Sequence, residues 1–291
     1  MDYTLNIHGR LMELRKPVVM GILNATPDSF FEGSRLRTEA EIARRANQIV
    51  AEGGSIIDVG AYSTRPGAVK VSLDEEMERM RHALNVVRRE QPNAVLSVDT
   101  FRPEVARMAV EEYGAGIIND VSGGNADGSF GGTTQLQRSG EDEVPEIFHE
   151  VARLQVPYIL MSSDATLRSM LLFFSFRVQQ LRALGQKDII IDPGFGFGKS
   201  VEQNFSLMGD LEKLQVMGLP ILVGVSRKSM IWKTLELTPN EALNGTTMLN
   251  TIALQKGAGI LRVHDVREAA EVIKLSDAIA MSSSRKQNAN D

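Results

Sequence analysis

Residues 188–200, DIIIDPGFGFGKS, set a carboxylate and a lysine on either side of a glycine-rich loop. Ile189, Ile190 and Ile191 lead into Asp192, and Gly198-Lys199-Ser200 closes the segment. This is not a nucleotide loop: Pro193 stands where the first glycine of G-x-x-x-x-G-K-S belongs, and Lys199 replaces the third glycine of G-x-G-x-x-G. What remains is a strand that carries Asp192 to its C-terminal tip. Other apolar runs end in the same way, on Asn24, Asp58, Asp99-Thr100, Asn119-Asp120, Met161-Ser162, Ser226-Arg227-Lys228, and Arg262, His264 and Asp265. A lone Asp after a strand is most often a turn or cap residue. Asp120 and Asp265 fit that reading, and Asp58 reads equally well as a buffer for neighbouring backbone. Polar groups at nearly every tip exceed what capping requires.

These tips need a scaffold that gathers them. Strand-like runs fall at Val18–Asn24, Ser55–Gly60, Ala94–Asp99, Gly116–Asp120, Tyr158–Met161, Asp188–Asp192, Ile221–Val225 and Gly259–His264. Each is nearly all apolar, as suits parallel strands buried on both faces. Amphipathic stretches of helical period lie between and after them: Glu39–Glu52, Leu73–Glu90, Pro103–Tyr113, Glu146–Leu154, Leu167–Leu184, Val201–Met217, Ala242–Lys256 and Val266–Met281. Thr38 followed by Glu41 reads as a capping box for the first. Eight βα units in 291 residues predict an α/β fold, a (β/α)8 TIM barrel, with a doubly wound sheet as runner-up. The whole chain, residues 1–291, reads as one domain. Residues 3–16 read as a short hairpin around His8-Gly9 that closes the barrel floor. Residues 122–143, Gly-rich and polar, read as a mobile loop, and 282–291 as a disordered tail.

Composition narrows the function. There is no cysteine, which excludes thiolate catalysis and disulfides. The longest apolar run is far short of a membrane span, and the N-terminus has no apolar leader, so the expectation is a cytoplasmic protein with no membrane partner. A net charge of −5 with interspersed signs speaks against a nucleic-acid partner but leaves room for a small anion. His8, His82 and His149 stand apart from the tips and read as surface or core residues. Asp99, Asn119, Asp192 and Lys228 offer donors and acceptors suited to the amide and amino edges of a flat heterocycle. Arg65, Arg262 and His264 form a cationic set suited to phosphate. Asn24 presents a carbonyl oxygen suited to a Mg²⁺ that already carries phosphate oxygens and water. Together they point to a phosphorylated ring substrate.

At this point the motifs match a family. MGILNATPDSF (20–30), IIDVGAYSTRPGA (56–68), SVDTFRPEVA (97–106), INDVSGG (118–124), IDPGFGFGKS (191–200), VGVSRKS (223–229) and RVHDV (262–266) resemble, in order, the signatures of dihydropteroate synthase, the pterin-binding folate-pathway family that sulfonamides target. The resemblance implies condensation of 6-hydroxymethyl-7,8-dihydropterin diphosphate with 4-aminobenzoate to 7,8-dihydropteroate and diphosphate. It places Asp99, Asn119, Met161, Asp192 and Lys228 on the pterin, and Asn24 on Mg²⁺. Asn24, Arg65, Arg262 and His264 fall on the diphosphate, and Thr64, Pro66, Phe197 and Ser226 on 4-aminobenzoate. Asp99, Asp192, Lys228 and Arg262 are the implied catalytic set, with loops Ala25–Leu36 and Tyr62–Val69 closing over the substrates. A homodimer through the late helices is also implied. The expected mechanism is a dissociative, SN1-like substitution without a dedicated base.

One segment departs from the pattern. After the fifth strand the family carries Met-His-Met, then Gly and Pro; here Met161 is followed by Ser162-Ser163-Asp164-Ala165-Thr166. That departure keeps open a catalytically weak or inactive pterin-binding paralogue. A pterin-dependent methyltransferase domain is the other alternative, against which Ser63-Thr64-Arg65-Pro66 and Arg262-Val263-His264 count.

Overall fold

The apolar runs are buried because each strand faces helices on one side and the barrel interior on the other. The computed structural model describes residues 3–25, 35–62, 71–134, 136 and 143–288. Strands β3 (Val18–Asn24), β4 (Ile56–Gly60), β5 (Val95–Asp99), β6 (Ile117–Asp120), β7 (Tyr158–Met161), β8 (Ile189–Asp192), β9 (Leu222–Val223) and β10 (Ile260–Val263) are parallel, in the order β8-β7-β6-β5-β4-β3-β10-β9. A parallel bridge between Ile191 and Ile221 brings the two ends together, with the Ile191 amide donating to the Pro220 carbonyl at 2.9 Å. The barrel expected from the sequence is therefore the observed architecture.

Around it stand α1 (Arg35–Ala51), α2 (Leu73–Glu90), α3 (Pro103–Tyr113), α4 (Glu146–Leu154), α5 (Leu167–Ala183), α6 (Val201–Gly209), α7 (Ser229–Thr234), α8 (Leu243–Gln255) and α9 (Val266–Asn288). Among the described residues no helix is long and apolar enough to cross a membrane.

The period of two along each strand sorts the core. Met20, Ile56, Ile117, Ile159, Ile190, Leu222 and Ile260 form one buried cluster inside the barrel. Their chain neighbours Val19, Ile57, Ile118, Tyr158, Ile189, Ile191, Val223 and Leu261 belong instead to the larger cluster beneath the helices. The inner cluster is closed from below by the antiparallel hairpin β1 (Thr4–Ile7) and β2 (Arg10–Glu13), whose Leu5 and Ile7, with Leu14, point into it. His8 and Gly9 both have positive φ, 50° and 81°, the backbone of a tight two-residue turn that matches strand twist. Asn6 donates its amide to Asp188 Oδ2 at 2.8 Å, and the His8 ring meets the Ala115 carbonyl at 2.9 Å, so the hairpin is tied to the barrel rim.

Several boundaries differ from the sequence reading. Val201–Met217 is not one helix: it breaks at Asp210 into α6 and a 3-10 turn, Leu211–Met217, where Gly209 weakens helical continuation. Helix α1 begins at Arg35, so Thr38 lies inside the helix and not at the N-cap position expected for it. The last helix runs on to Asn288, past the start of the tail expected at 282, since no Gly or Pro interrupts it. Helix α7 carried no periodic signal, being too short to show one.

Leu5 is wholly buried at the centre of the floor. Leu5→Ala is expected to lower the unfolding free energy by about 2–5 kcal/mol, checked by urea denaturation followed by circular dichroism.

Candidate functional site

On six of the strands, the inward position that follows the floor residue, two along the strand, carries a polar or otherwise functional side chain. Ile56 is followed inward by Asp58, Val95 by Ser97 and then Asp99, Ile117 by Asn119, Ile159 by Met161, Ile190 by Asp192, and Ile260 by Arg262. Register aligns them: Asp58 pairs with Ser97, Gly60 with Asp99, Asp99 with Asn119, and Met161 with Asp192. Four expected site residues, Asp99, Asn119, Asp192 and Arg262, thus meet at one end of the barrel.

Arg262 is the hub. Its Nε donates to Asp58 Oδ2 at 2.7 Å and its Nη2 to Asp99 Oδ2 at 2.9 Å. Asp58, with a side chain 0% exposed, is held further by Ser97 Oγ at 2.6 Å and Asn119 Nδ2 at 3.3 Å. Burial opposes the Arg262 charge, but Asp58 and Asp99 outweigh it and raise its pKa. Burial pushes Asp99 up to about 7; Arg262 pulls it down, while the Asp58 charge pushes it further up. One guanidinium between two carboxylates leaves a surplus negative charge, so Asp99 holds its proton far more tightly than a free carboxyl. Among the described residues, the buried Asn119 Oδ1 has no hydrogen-bond partner, an acceptor left open.

The opposite wall comes from β8 and β9. Asp192 Oδ1 accepts the Gly194 amide at 2.7 Å. Burial raises its pKa, opposed by the Lys228 charge. Lys228 Nζ donates to the Phe195 carbonyl and lies 4.1 Å from the centre of the Phe197 ring. Burial lowers Lys228 to about 7, with Asp192 holding it up. Lys199 is no phosphate ligand: its Nζ reaches the carbonyls of Ser162, Gly194 and Phe197 at 3.2, 2.9 and 3.3 Å and clips the β8 loop to the tip of β7. Met161 is wholly buried, its side chain against Gly194.

Past the tips of β9 and β10, Ser226 Oγ accepts the His264 backbone amide at 3.1 Å and meets His264 Nδ1 at 3.0 Å. Burial, then the Arg262 charge, lowers His264 to about 4, so its ring is neutral at physiological pH. The Ser226 hydroxyl thus holds the His264 ring through Nδ1 and leaves Nε2 free of that contact. Arg227, at a φ of 56°, is pinned by a two-point contact with Asp265 at 3.0 and 2.6 Å. Asp120 is a turn residue as expected, accepting the Ser122 and Gly124 amides and the Tyr158 hydroxyl. Asn24 stands exposed at the β3 tip. A β-carbon on Gly60 would sit 3.7 Å from Asn24 Oδ1 and 3.8 Å from Asp99 Oδ2, so the bare glycine leaves a space bordered by two oxygens. Thr64, Arg65 and Pro66 lie outside the described residues, as does most of both closing loops. The two described ends of the second loop are fixed: Arg102 donates to the Val71 carbonyl and to Glu76 at 2.7 Å each, and its guanidinium lies 5.5 Å from the Tyr62 ring.

Comparison with known proteins agrees with this geometry. Residues 20–264 match the family model described as pterin binding enzyme. The chain is 35% identical over 282 residues, 96% of its length and 97% of the relative's, to dihydropteroate synthase of Escherichia coli (strain K12). Among solved structures it resembles Xanthomonas albilineans dihydropteroate synthase with 4-aminobenzoic acid, with a TM-score of 0.82 and 34% identity over 96% of this chain and 99% of that one. The same enzyme in complex with 7,8-dihydropteroate gives a TM-score of 0.80 and 32% identity, again over 96% and 99%.

Two outcomes are expected. Asp58→Asn, which removes one buried partner of Arg262, lowers the unfolding free energy by about 3 kcal/mol in urea titrations. Asp99 holds its proton in the native state between its unfolded value of 3.8 and about 7. Its contribution to stability is therefore largest below pH 4 and is lost as pH rises through 7. Stability measured against pH should fall less steeply across that window in Asp99→Asn than in the wild type.

Proposed function

Because the chain belongs to the pterin-binding enzyme family and, within it, to the dihydropteroate synthases, we propose that its strand-tip residues perform that reaction in the following roles. The reaction joins the pterin methylene carbon to the amine of 4-aminobenzoate and releases diphosphate. Its full-length relatives favour this over the methyltransferase and inactive-paralogue readings. The observation that carries the assignment of roles is the inward ring of Asp99, Asn119, Asp192 and Lys228 around Arg262.

Asp99, Asn119, Asp192 and Lys228 read the polar edges of the pterin, with Met161 against the ring. The free Asn119 Oδ1 accepts from an N–H donor, and each carboxylate offers two acceptors to a paired N–H edge. Arg65, Arg262 and neutral His264 take the diphosphate. Ser226 acts by orienting the His264 ring through Nδ1 as well as bordering the 4-aminobenzoate site with Thr64, Pro66 and Phe197.

The oxygens of Asn24 and Asp99 around Gly60 fit a hard divalent cation such as Mg²⁺. Asn24 would hold it through its carbonyl oxygen. When bound, Mg²⁺ neutralises the leaving diphosphate.

As the bond to diphosphate breaks, positive charge spreads over the dihydropterin. Asp99 and Asp192, buried and fixed, stabilise that charge more strongly than water would. Arg262 ties the two ends together, because it faces the departing anion while paired with Asp99. The neutral aryl amine then attacks without a dedicated base, and the proton it sheds passes to the released diphosphate or to water. We further read exposed Leu275, Ile279 and Met281 on α9, with Met248 on adjacent α8, as the face of a homodimer, and the cytoplasm as the site of action.

Incubation with the pterin diphosphate, 4-aminobenzoate and Mg²⁺ should yield dihydropteroate and one equivalent of diphosphate; pterin binding without product would overturn the enzymatic reading. Asp99→Asn should reduce kcat at saturating substrates by on the order of 10²-fold. Unchanged turnover would remove Asp99 from transition-state stabilisation.

A further inference from the structure

The two irregular segments of the sequence, the Gly-rich stretch after β6 and the altered one after β7, are halves of one contact. Ser163 donates both its amide and its hydroxyl to the Gly131 carbonyl, at 2.7 and 2.8 Å. Asp164 accepts the Thr133 amide at 3.1 Å, the Thr133 hydroxyl at 2.7 Å and the Ser162 hydroxyl at 3.0 Å. The fit excludes side chains at the crossing. A β-carbon on Gly131 would lie 2.5 Å from the Ser122 carbonyl oxygen, and one on Gly132 would lie 3.2 Å from Asp164 Oδ1.

This clamp fixes the residue just before it. The Phe130 ring packs edge-to-face on Phe197, with centroids 4.9 Å apart and planes at 68°. The Phe197 ring carries the Lys228 ammonium 4.1 Å from its centre, and its carbonyl accepts from Lys199. Both rings are half-buried. A row therefore runs from the β6 loop through Phe130 and Phe197 to Lys228, beside Asp192. Phe197 sits in a loop of glycines with positive φ, Gly194, Gly196 and Gly198, which gives it little rigidity of its own.

We propose that Phe130 is a positioning residue for the aryl-amine substrate, holding Phe197 as the wall of the 4-aminobenzoate side of the site, with the Ser163/Asp164 clamp setting its place. This rests on the assignment of Phe197 to that side. Phe130 touches no reacting atom, so its effect falls on binding of the second substrate rather than on bond breaking.

Steady-state kinetics with both substrates tests this in the full-length enzyme. Phe130→Ala should raise the KM for 4-aminobenzoate about three- to tenfold, the equivalent of one lost edge-to-face pair, with kcat and the KM for the pterin diphosphate within about twofold of wild type. Phe130→Tyr, which keeps the ring, should restore it. Asp164→Ala should give a similar KM shift that Phe130→Ala does not enlarge, since both act through one contact. Calorimetric titration of 4-aminobenzoate onto the pterin-loaded protein gives the same comparison without turnover, so an inactive wild type would refute the enzymatic reading and leave this inference measurable. An unchanged KM and affinity for 4-aminobenzoate in Phe130→Ala overturns the proposal. So does a fall in kcat and rise in both KM values together with a lowered Tm, which marks a merely structural loop.

Discussion

A guanidinium at the centre of a barrel is tolerable only when it is paired, and the pairing of Arg262 with Asp58 and Asp99 constrains everything around it. Asp58 is wholly buried, and its partner across the barrel is Arg262. Ser97 and Asn119 complete the shell from the two neighbouring strands. A slip of one residue in β4 would turn Asp58 toward the helices and bring Ile57 or Val59 inward. The ion pair thus favours one strand register, and that register points Asp99, Asn119 and Asp192 into the same space.

The same arrangement leaves the site poised in charge. Two carboxylates share Arg262, and Asp192 shares a pocket with Lys228. Burial pushes Asp99 up and Lys228 down until both sit near 7. Their protonation is then decided by what else enters. An anionic leaving group favours every cation in the pocket, and a ring gaining positive charge favours both carboxylates. A substrate that supplies both charges at once favours the ionised forms of Asp99 and Lys228 together. His264 stands outside this coupling, since burial and Arg262 hold it neutral across the physiological range.

Much of this was legible in the sequence because period-two strands announce their inward positions. Once Ile190 is placed in the floor, Asp192 must face the same interior, and the same logic gives Asn119 from Ile117 and Arg262 from Ile260. The hairpin was legible from His8-Gly9, whose residue types suit a positive-φ turn. Partnership was not legible. Grouping Arg262 with the phosphate cations by chemical type hid its pairing with Asp58, which read as a backbone buffer. Ser226, placed by motif beside the aromatic substrate, is also bound to His264, because a hydroxyl at that tip has an amide and a ring nitrogen within reach. Lys199 could be set aside as a phosphate ligand by spacing alone, but its three carbonyl partners depend on loop geometry that spacing does not encode.

The contact between the loops after β6 and β7 lay furthest from sequence reasoning, and its physics explains why. Phe130 and Phe197 are separated by sixty-seven positions and belong to loops without periodicity, so no local pattern links them. Read singly, the short side chains after Met161 look like a loss from the site, and the glycines after Asp120 look like slack. In space each requires the other. Small Ser162 and Ser163 admit the backbone of Gly131 and Gly132, and the carboxylate of Asp164 gives that backbone a reason to stop there. A departure from a family pattern is therefore not by itself evidence of lost function; here, the altered segment after β7 meets the glycine-rich loop after β6 to build a contact that neither could form alone.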